Sequence, residues 1–590
     1  MIKNPMSKFR NWPGWVVLLL VATLIPATIS PVKADEPPAR HPKLDSTLAQ
    51  LVTASQSSGE EMTKLAEDSA LKLADGRIQV QLVTDAPNLA AVKAAVTEAG
   101  GEVTGVAYND TLVQGWLPVD SLEAVAGRPE VFFIRRPTAI FPLETLQVGN
   151  STTEGLGVIN GLAWHSAGHT GSGVKVGILD LGFIGYTGLL GTDLPQTVVV
   201  KNFVDGESET EVASTTEHGT ACAEVIHDIA PGAELYLAKV GTDLDIVEAV
   251  AWLISQQVDI ISSSIGLYNA SAGDGTGFLA DLVNQARASG ILWVTAAGND
   301  RESHWGGVYN NLDGDSFHEF ANGDDVNCFT FTLLGGGCST IFFGQVNIFV
   351  RWSDWDQGDQ DFDLHLVVWN GTAWESVASS VNVQDGSPGQ TPTEWITATI
   401  FDFRPYGFRL ERVSGNRPVN FEVFTPGLIS FGFGLQETLH ARSLANLADS
   451  PGAITVAALN VASPHVQEFY SSEGPANGPG GAAIGGFTKP DLSGFANVST
   501  QSYGAGVFNG TSSATPHVAG AAALVLGANP GLTPDQIQAF LSGQAVDMGD
   551  SGLDTQFGHG RLYLGDPPTG TSTPPLLSIY YLPLIFRDKP

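Results

Sequence analysis

Three short segments carry side chains whose types can act together. Gly177-Ile178-Leu179-Asp180-Leu181-Gly182 ends an apolar run with a carboxylate followed closely by glycine. His218-Gly219-Thr220-Ala221 and Gly510-Thr511-Ser512-Ser513-Ala514-Thr515-Pro516-His517-Val518-Ala519-Gly520 each open a stretch of helical composition. A serine hydroxyl is a poor nucleophile until a neutral imidazole accepts its proton. That imidazole needs an anion on its other nitrogen, to fix the tautomer and stabilise the charge that develops. Asp180, His218 and Ser512 are the candidate anion, base and nucleophile. A helix N-terminus would expose the Ser512 oxygen in a favourable dipole. Attack on a carbonyl puts negative charge on its oxygen, so a hydrogen-bond donor is needed there as well.

Taken in order, these segments resemble the subtilisin-like serine proteases. Asp-x-Gly, His-Gly-Thr and Gly-Thr-Ser-x-Ala-Thr-Pro-His-Val-Ala-Gly follow that family's chain order of Asp, His and Ser. The resemblance implies an Asp180–His218–Ser512 triad, with the Asn299 amide and the Ser512 backbone N–H as oxyanion donors. Ser264-Ile265-Gly266 resembles the family's substrate-binding strand, which would hold an extended peptide by main-chain hydrogen bonds. With Ala296, Ala297 and Gly298 it would wall the first specificity pocket, small and apolar. Three positions depart from the family pattern: Leu181 stands for a small hydroxylated residue, Ala221 for a second histidine and Ser513 for methionine. None removes a group the mechanism needs. His517, His227 with Asp228, and Cys222 are read as packing or helix-ending residues.

The elements that must position these groups follow from periodicity. Val174–Leu179, Glu234–Val240, Ile260–Ser263 and Ile291–Ala296 are short apolar strands separated by helical stretches such as Asp243–Gln256 and Gly277–Ser289. That alternation predicts an α/β fold with a parallel sheet flanked by helices, which the family resemblance implies is subtilisin-like. Before it, Arg77–Val83, Leu89–Ala99, Glu102–Ala107, Leu112–Leu117, Ser121–Ala126 and Glu130–Arg135 run β-α-β-β-α-β, the ferredoxin-like split unit, after a polar lead. Residues 301–448 are rich in Gly, Asp, Asn, Phe and Trp, with alternating runs such as Asn347–Trp352 and Phe362–Trp369, and predict an all-β insert.

The expected organisation is a signal peptide over 1–34 and a ferredoxin-like propeptide over 35–147. A catalytic domain over 148–300 and 449–565 is interrupted by the insert at 301–448, and a linker with an apolar tail fills 566–590. Lys3, Lys8 and Arg10 precede an apolar run, Trp15 to Ile25, too short to span a bilayer and suited to a signal peptide, so no transmembrane helix is expected in the mature chain. The tail run Leu576 to Phe586 carries Pro583 and reads as an attachment element or a packed strand. A secreted or cell-surface location follows. By the family resemblance, the propeptide would act as an intramolecular inhibitor, cut between about 140 and 160.

The formal net charge is −34, with 62 acidic against 28 basic residues, which argues against nucleic acid and anionic membranes as partners. Polypeptide substrates and a monomeric state are expected, with no cofactor for catalysis. The insert's Asp359, Asp361 and Asp363, before Leu364, resemble the Asp-x-Asp-Leu segments of small β-sandwich modules beside secreted bacterial peptidases (the pre-peptidase C-terminal type). That makes them weak candidates for structural Ca²⁺. Cys328 and Cys338 bracket a glycine-rich hairpin that a disulfide could clip, leaving Cys222 over. A non-catalytic scaffold with the insert as its working part and an acid-active serine-carboxyl peptidase are the rival readings.

Overall fold

The strands that follow residue 174 in the α/β region are apolar at consecutive positions, as strands covered on both faces must be. In the computed structural model, which describes residues 40–142, 152–320, 323–331, 337–340, 342–428 and 432–568, they form one seven-stranded sheet. The order is Leu492–Ala496, Ala453–Asn460, Leu292–Ala296, Ile260–Ser263, Lys175–Asp180, Glu234–Lys239, Val199–Asn202, and every pair is parallel. The expected signal peptide and apolar tail lie outside the described residues.

Each face of the sheet has its own core. The histidine helix His218–Ile229 and the serine helix Gly510–Ala528 pack on one side, sharing a cluster with Val176, Ile178, Leu237, Val294 and Val456. Asp243–Ser255 and Phe278–Ala288 cover the other, around Leu253, Val283 and Trp293. The α/β expectation holds. No helix among the described residues is long and apolar enough to cross a membrane.

In the N-terminal segment, Phe133–Arg135, Arg77–Val83, Leu112–Pro118 and Glu102–Ala107 lie side by side, all antiparallel. The last strand begins three residues later than its apolar run predicts. The stretch read as a polar lead contains two helices, Ser46–Ser57 and Gly59–Asp68. Their starts are set by caps: the Asp45 carboxylate accepts from Thr47 and Leu48 N–H, and Ser58 Oγ accepts from Glu61 N–H. This segment docks on the two helices that cover the sheet's second face. Gln81 Nε2 donates to Asp243 at 2.6 Å, and the Tyr108 ring stands 4.0 Å from that of Phe278.

Within residues 301–448, two antiparallel sheets of four and five strands face each other over one core, which includes Trp352, Phe362, Phe408 and Phe421. Cys328 and Cys338 are bridged.

Candidate active site

Asp180 is the last residue of its strand, at the carboxyl end of a parallel sheet, where such sheets carry their sites. Its Oδ1 accepts the Leu181 N–H at 2.8 Å, and its two oxygens meet His218 Nδ1 at 2.7 and 2.9 Å. A carboxylate only accepts, so Nδ1 carries the proton and Nε2 is the basic nitrogen. Asp180 and His218 are both fully buried. Their approach requires glycine next to the histidine: a Cβ at Gly219 would lie 2.5 Å from the Phe183 ring and 2.8 Å from Asp180 Cβ. Cys222, one turn on, takes no part in a disulfide and directs its Sγ to the Ser512 carbonyl at 3.8 Å.

Gly510, at φ +84°, turns the chain into the serine helix, and Ser512 sits in its first turn. Ser512 and Ser264 are joined reciprocally: Ser512 Oγ donates to the Ser264 carbonyl at 2.9 Å, and Ser264 Oγ donates to the Ser512 carbonyl at 3.0 Å. The serine helix is thereby bolted to the strand Ile265–Leu267. That strand is itself paired, antiparallel, with Ile140–Pro142 from the N-terminal segment: Ile265 faces Pro142, Gly266 faces Phe141 and Leu267 faces Ile140.

Asn299 is oriented by the residue before the serine. Its Oδ1 accepts from both the N–H and the hydroxyl of Thr511, each at 2.9 Å, which makes Nδ2 the donating end. Gly298, at φ +118°, gives its N–H to the same Thr511 hydroxyl at 3.2 Å. Ala296 closes the strand; Ala297 gives its N–H to Val456 and packs with Leu444, Ala448 and Ala476. Sequence spacing offers no signal for Thr511 as the anchor of Asn299. Nor does it for Asp300, whose carboxyl burial pushes up to about 7 against hydrogen bonds from Tyr268 and Ser303.

His517 is structural, as its reading predicts. Burial lowers its imidazole to about 4, Nδ1 donates to the Ser513 carbonyl and Nε2 accepts from Thr153 Oγ1 at 2.8 Å. Thr153 N–H is also held by Asp228 at 2.8 Å, so this stretch of chain is pinned behind the serine helix.

The three calcium candidates are not drawn to a common point. Asp359 is bound, with Asp354, by Arg417, while Asp361 and Asp363 share Arg40. Guanidinium groups supply the positive charge beside these carboxylates. A different trio, Asp363, His365 and Glu411, has ligand atoms within 4.8 Å of one another.

The His218–Asp180 pair, and Ser512 through its bond to Ser264, stand at the same rim of a doubly covered parallel sheet. The subtilase family model matches residues 171–323 and 414–560, just over half of the chain, and the chain belongs to that family. Subtilisin E of Bacillus subtilis (strain 168) is 30% identical over 174 residues, covering 27% of this chain and 42% of the relative. Subtilisin of Bacillus pumilus is 32% identical over 170 residues, 26% of this chain and 57% of the relative. The chain thus spans about half the length of the curated relatives it matches. The CspB protease of Clostridium perfringens overlays 68% of this chain and 95% of its own, at a TM-score of 0.47 and 16% identity.

Proposed function

We propose that this protein is a secreted serine endopeptidase, made as a zymogen that processes itself. The observation that carries the reading is the extended segment Ile140–Pro142, lying antiparallel on Ile265–Leu267 directly beside the Ser264–Ser512 junction. Edge-strand pairing of this kind is how a sequence-tolerant cleft holds a peptide. The chain's own segment then stands where substrate would, and the N-terminal segment serves as an intramolecular inhibitor. Pro142 in the cleft and Thr153 pinned by Asp228 and His517 bracket the processing bond.

In the proposed cycle Ser512 Oγ turns from the Ser264 carbonyl to attack the peptide carbonyl, giving its proton to His218 Nε2. Asp180 holds the imidazole and balances its charge. Asn299 Nδ2 and the Ser512 N–H bind the oxyanion. His218 then protonates the leaving amine, and water repeats the sequence on the acyl-enzyme, releasing the acid and restoring the serine. Substrates are polypeptides, and no cofactor enters the chemistry. Export is supported by the basic start and apolar run of the first 34 residues, and by the Cys328–Cys338 bridge, which suits an oxidising compartment.

Ser512→Ala is expected to abolish both peptide hydrolysis and self-processing; for subtilisin itself the loss is about 2 × 10⁶ in kcat. A purified variant that still matured would rule the assignment out. Failure of a fluorophosphonate to label the unaltered protein would favour a non-catalytic scaffold.

A further inference from the structure

We infer that the β-rich insert builds a substrate subsite into the cleft: an aromatic wall, Phe349 with Tyr268, that receives the side chain of the substrate residue paired with Gly266 and favours an aromatic one. The inference rests on the reading above, in which Ile140–Pro142 occupies the place of a bound peptide.

Successive side chains of an extended strand point to opposite sides. Ile140 points into the catalytic body, where it is buried among Leu179, Tyr236, Val240 and Ile246. Phe141, opposite Gly266, points the other way, toward the insert. Its ring lies 5.5 Å from Phe349, edge-on at 79°, and 5.8 Å from Tyr268 at 60°. Those are favourable aromatic geometries, with the positive edge of one ring set against the face of another.

The wall is preorganised. Phe349 pairs directly with Trp395 on one side and Phe424 on the other, across two neighbouring strands. It stacks on Trp395 at 4.9 Å and on Tyr268 at 5.3 Å. The Tyr268 hydroxyl is fixed to Asp300 at 2.6 Å, next to Asn299, so the wall and the oxyanion donor share a support. The insert is tied to the cleft side by Arg351, which buried Glu422 holds at 2.7 Å and which donates to the Ser271 carbonyl beyond the cleft strand at 3.4 Å. Asn269 adds a bond to the Glu394 carbonyl at 3.0 Å.

Tyr268 and Phe424 lie in the part of the chain that matches the family model; Phe349 and Trp395 lie in the unmatched stretch between 323 and 414. One wall of this subsite is therefore an addition to the family core. The bland alternative is that Phe141 merely glues the N-terminal segment to the insert before processing. In that case free substrates would gain nothing from an aromatic residue at its position.

The test uses the self-processed enzyme and internally quenched peptides spanning its own Ala139 to Gln147 (Ala-Ile-Phe-Pro-Leu-Glu-Thr-Leu-Gln), with the Phe141 position varied to Tyr, Leu, Ala and Glu and each cut mapped by mass spectrometry. Phe or Tyr is expected to exceed Ala by about tenfold in kcat/KM, the scale of one aromatic pair with its burial. Phe349→Leu keeps apolar bulk and should fold; with Phe349→Ala it is expected to cut that preference to about twofold or less, while a parallel series at the Ile140 position stays unchanged. A Phe-to-Ala ratio near unity in the unaltered enzyme overturns the inference, as does a ratio that survives both Phe349 variants. Hydrolysis without preference sinks the subsite alone; no hydrolysis of any peptide or of casein sinks the protease reading with it.

Discussion

The Thr511 hydroxyl offers a way to weaken Asn299, the proposed oxyanion donor, without touching it. Thr511→Val keeps the shape of a fully buried side chain but removes two bonds: the 2.9 Å donation to Asn299 Oδ1 and the 3.2 Å acceptance from Gly298 N–H. The Thr511 N–H remains on the same Oδ1 at 2.9 Å, so Asn299 loses one of these two anchors. A neutral hydrogen bond contributes about 1 kcal/mol net, and about 1.4 kcal/mol is tenfold in rate, so kcat should fall roughly five- to tenfold. KM should hold, because the oxyanion forms only in the transition state. Asn299→Ala removes the donor itself, a loss of roughly 10² to 10³ by the subtilisin figure. In an Asn299→Ala background Thr511→Val should then cost no more than about twofold, since the group it orients is gone. Thr511→Ser should retain full activity. The orphaned Gly298 N–H will lower stability by about 1 to 3 kcal/mol, so rates belong well below the melting temperature. If the losses from Thr511→Val and Asn299→Ala multiply in the double variant, the two residues act independently and the anchoring argument fails.

Two further outcomes test the supports of the cleft. Glu422 is fully buried, and although burial alone pushes its carboxyl up, Arg351, His304 and Arg442 together hold it below the usual range. Glu422→Gln leaves two guanidinium groups without their counter-ion, so it should cost about 3 to 5 kcal/mol, read as a lower melting transition by calorimetry; an unchanged transition would mean the pairs are not formed in solution. The Asp300 carboxyl, pushed up to about 7 by burial, binds its proton more tightly in the folded protein than in the unfolded chain. Its contribution to stability is therefore present below about pH 4 and is lost as pH rises through about 7. In a Ser512→Ala background that prevents autolysis, Asp300→Asn should gain on the unaltered residue in melting temperature between pH 5 and 8; parallel curves would remove Asp300 from the account.

The segments around Asp180, His218 and Ser512 are legible in the chain because the constraints on them are local. Gly219 must be glycine beside a histidine that touches Asp180, and Gly510 must take positive φ before the serine helix; each leaves a signature within a few residues of the group it serves. The parallel sheet is legible too, since strands covered on both faces must be apolar throughout. Caps written in single residues are less so: Asp45 and Ser58 start two helices in a stretch whose polar surface conceals them.

Contacts between distant parts of the chain were decided by tertiary structure alone. Nothing near Asp361 and Asp363 marks them as the partners of Arg40, more than 300 positions earlier. Nothing near Phe349 tells that its ring will face a cleft strand whose other residues come from positions 140–142 and 265–267. Side-chain type and local spacing declare what chemistry a residue can do and which backbone shape it needs. Which groups then meet depends on how sheets and inserts stack, and that is a property of the packed chain as a whole.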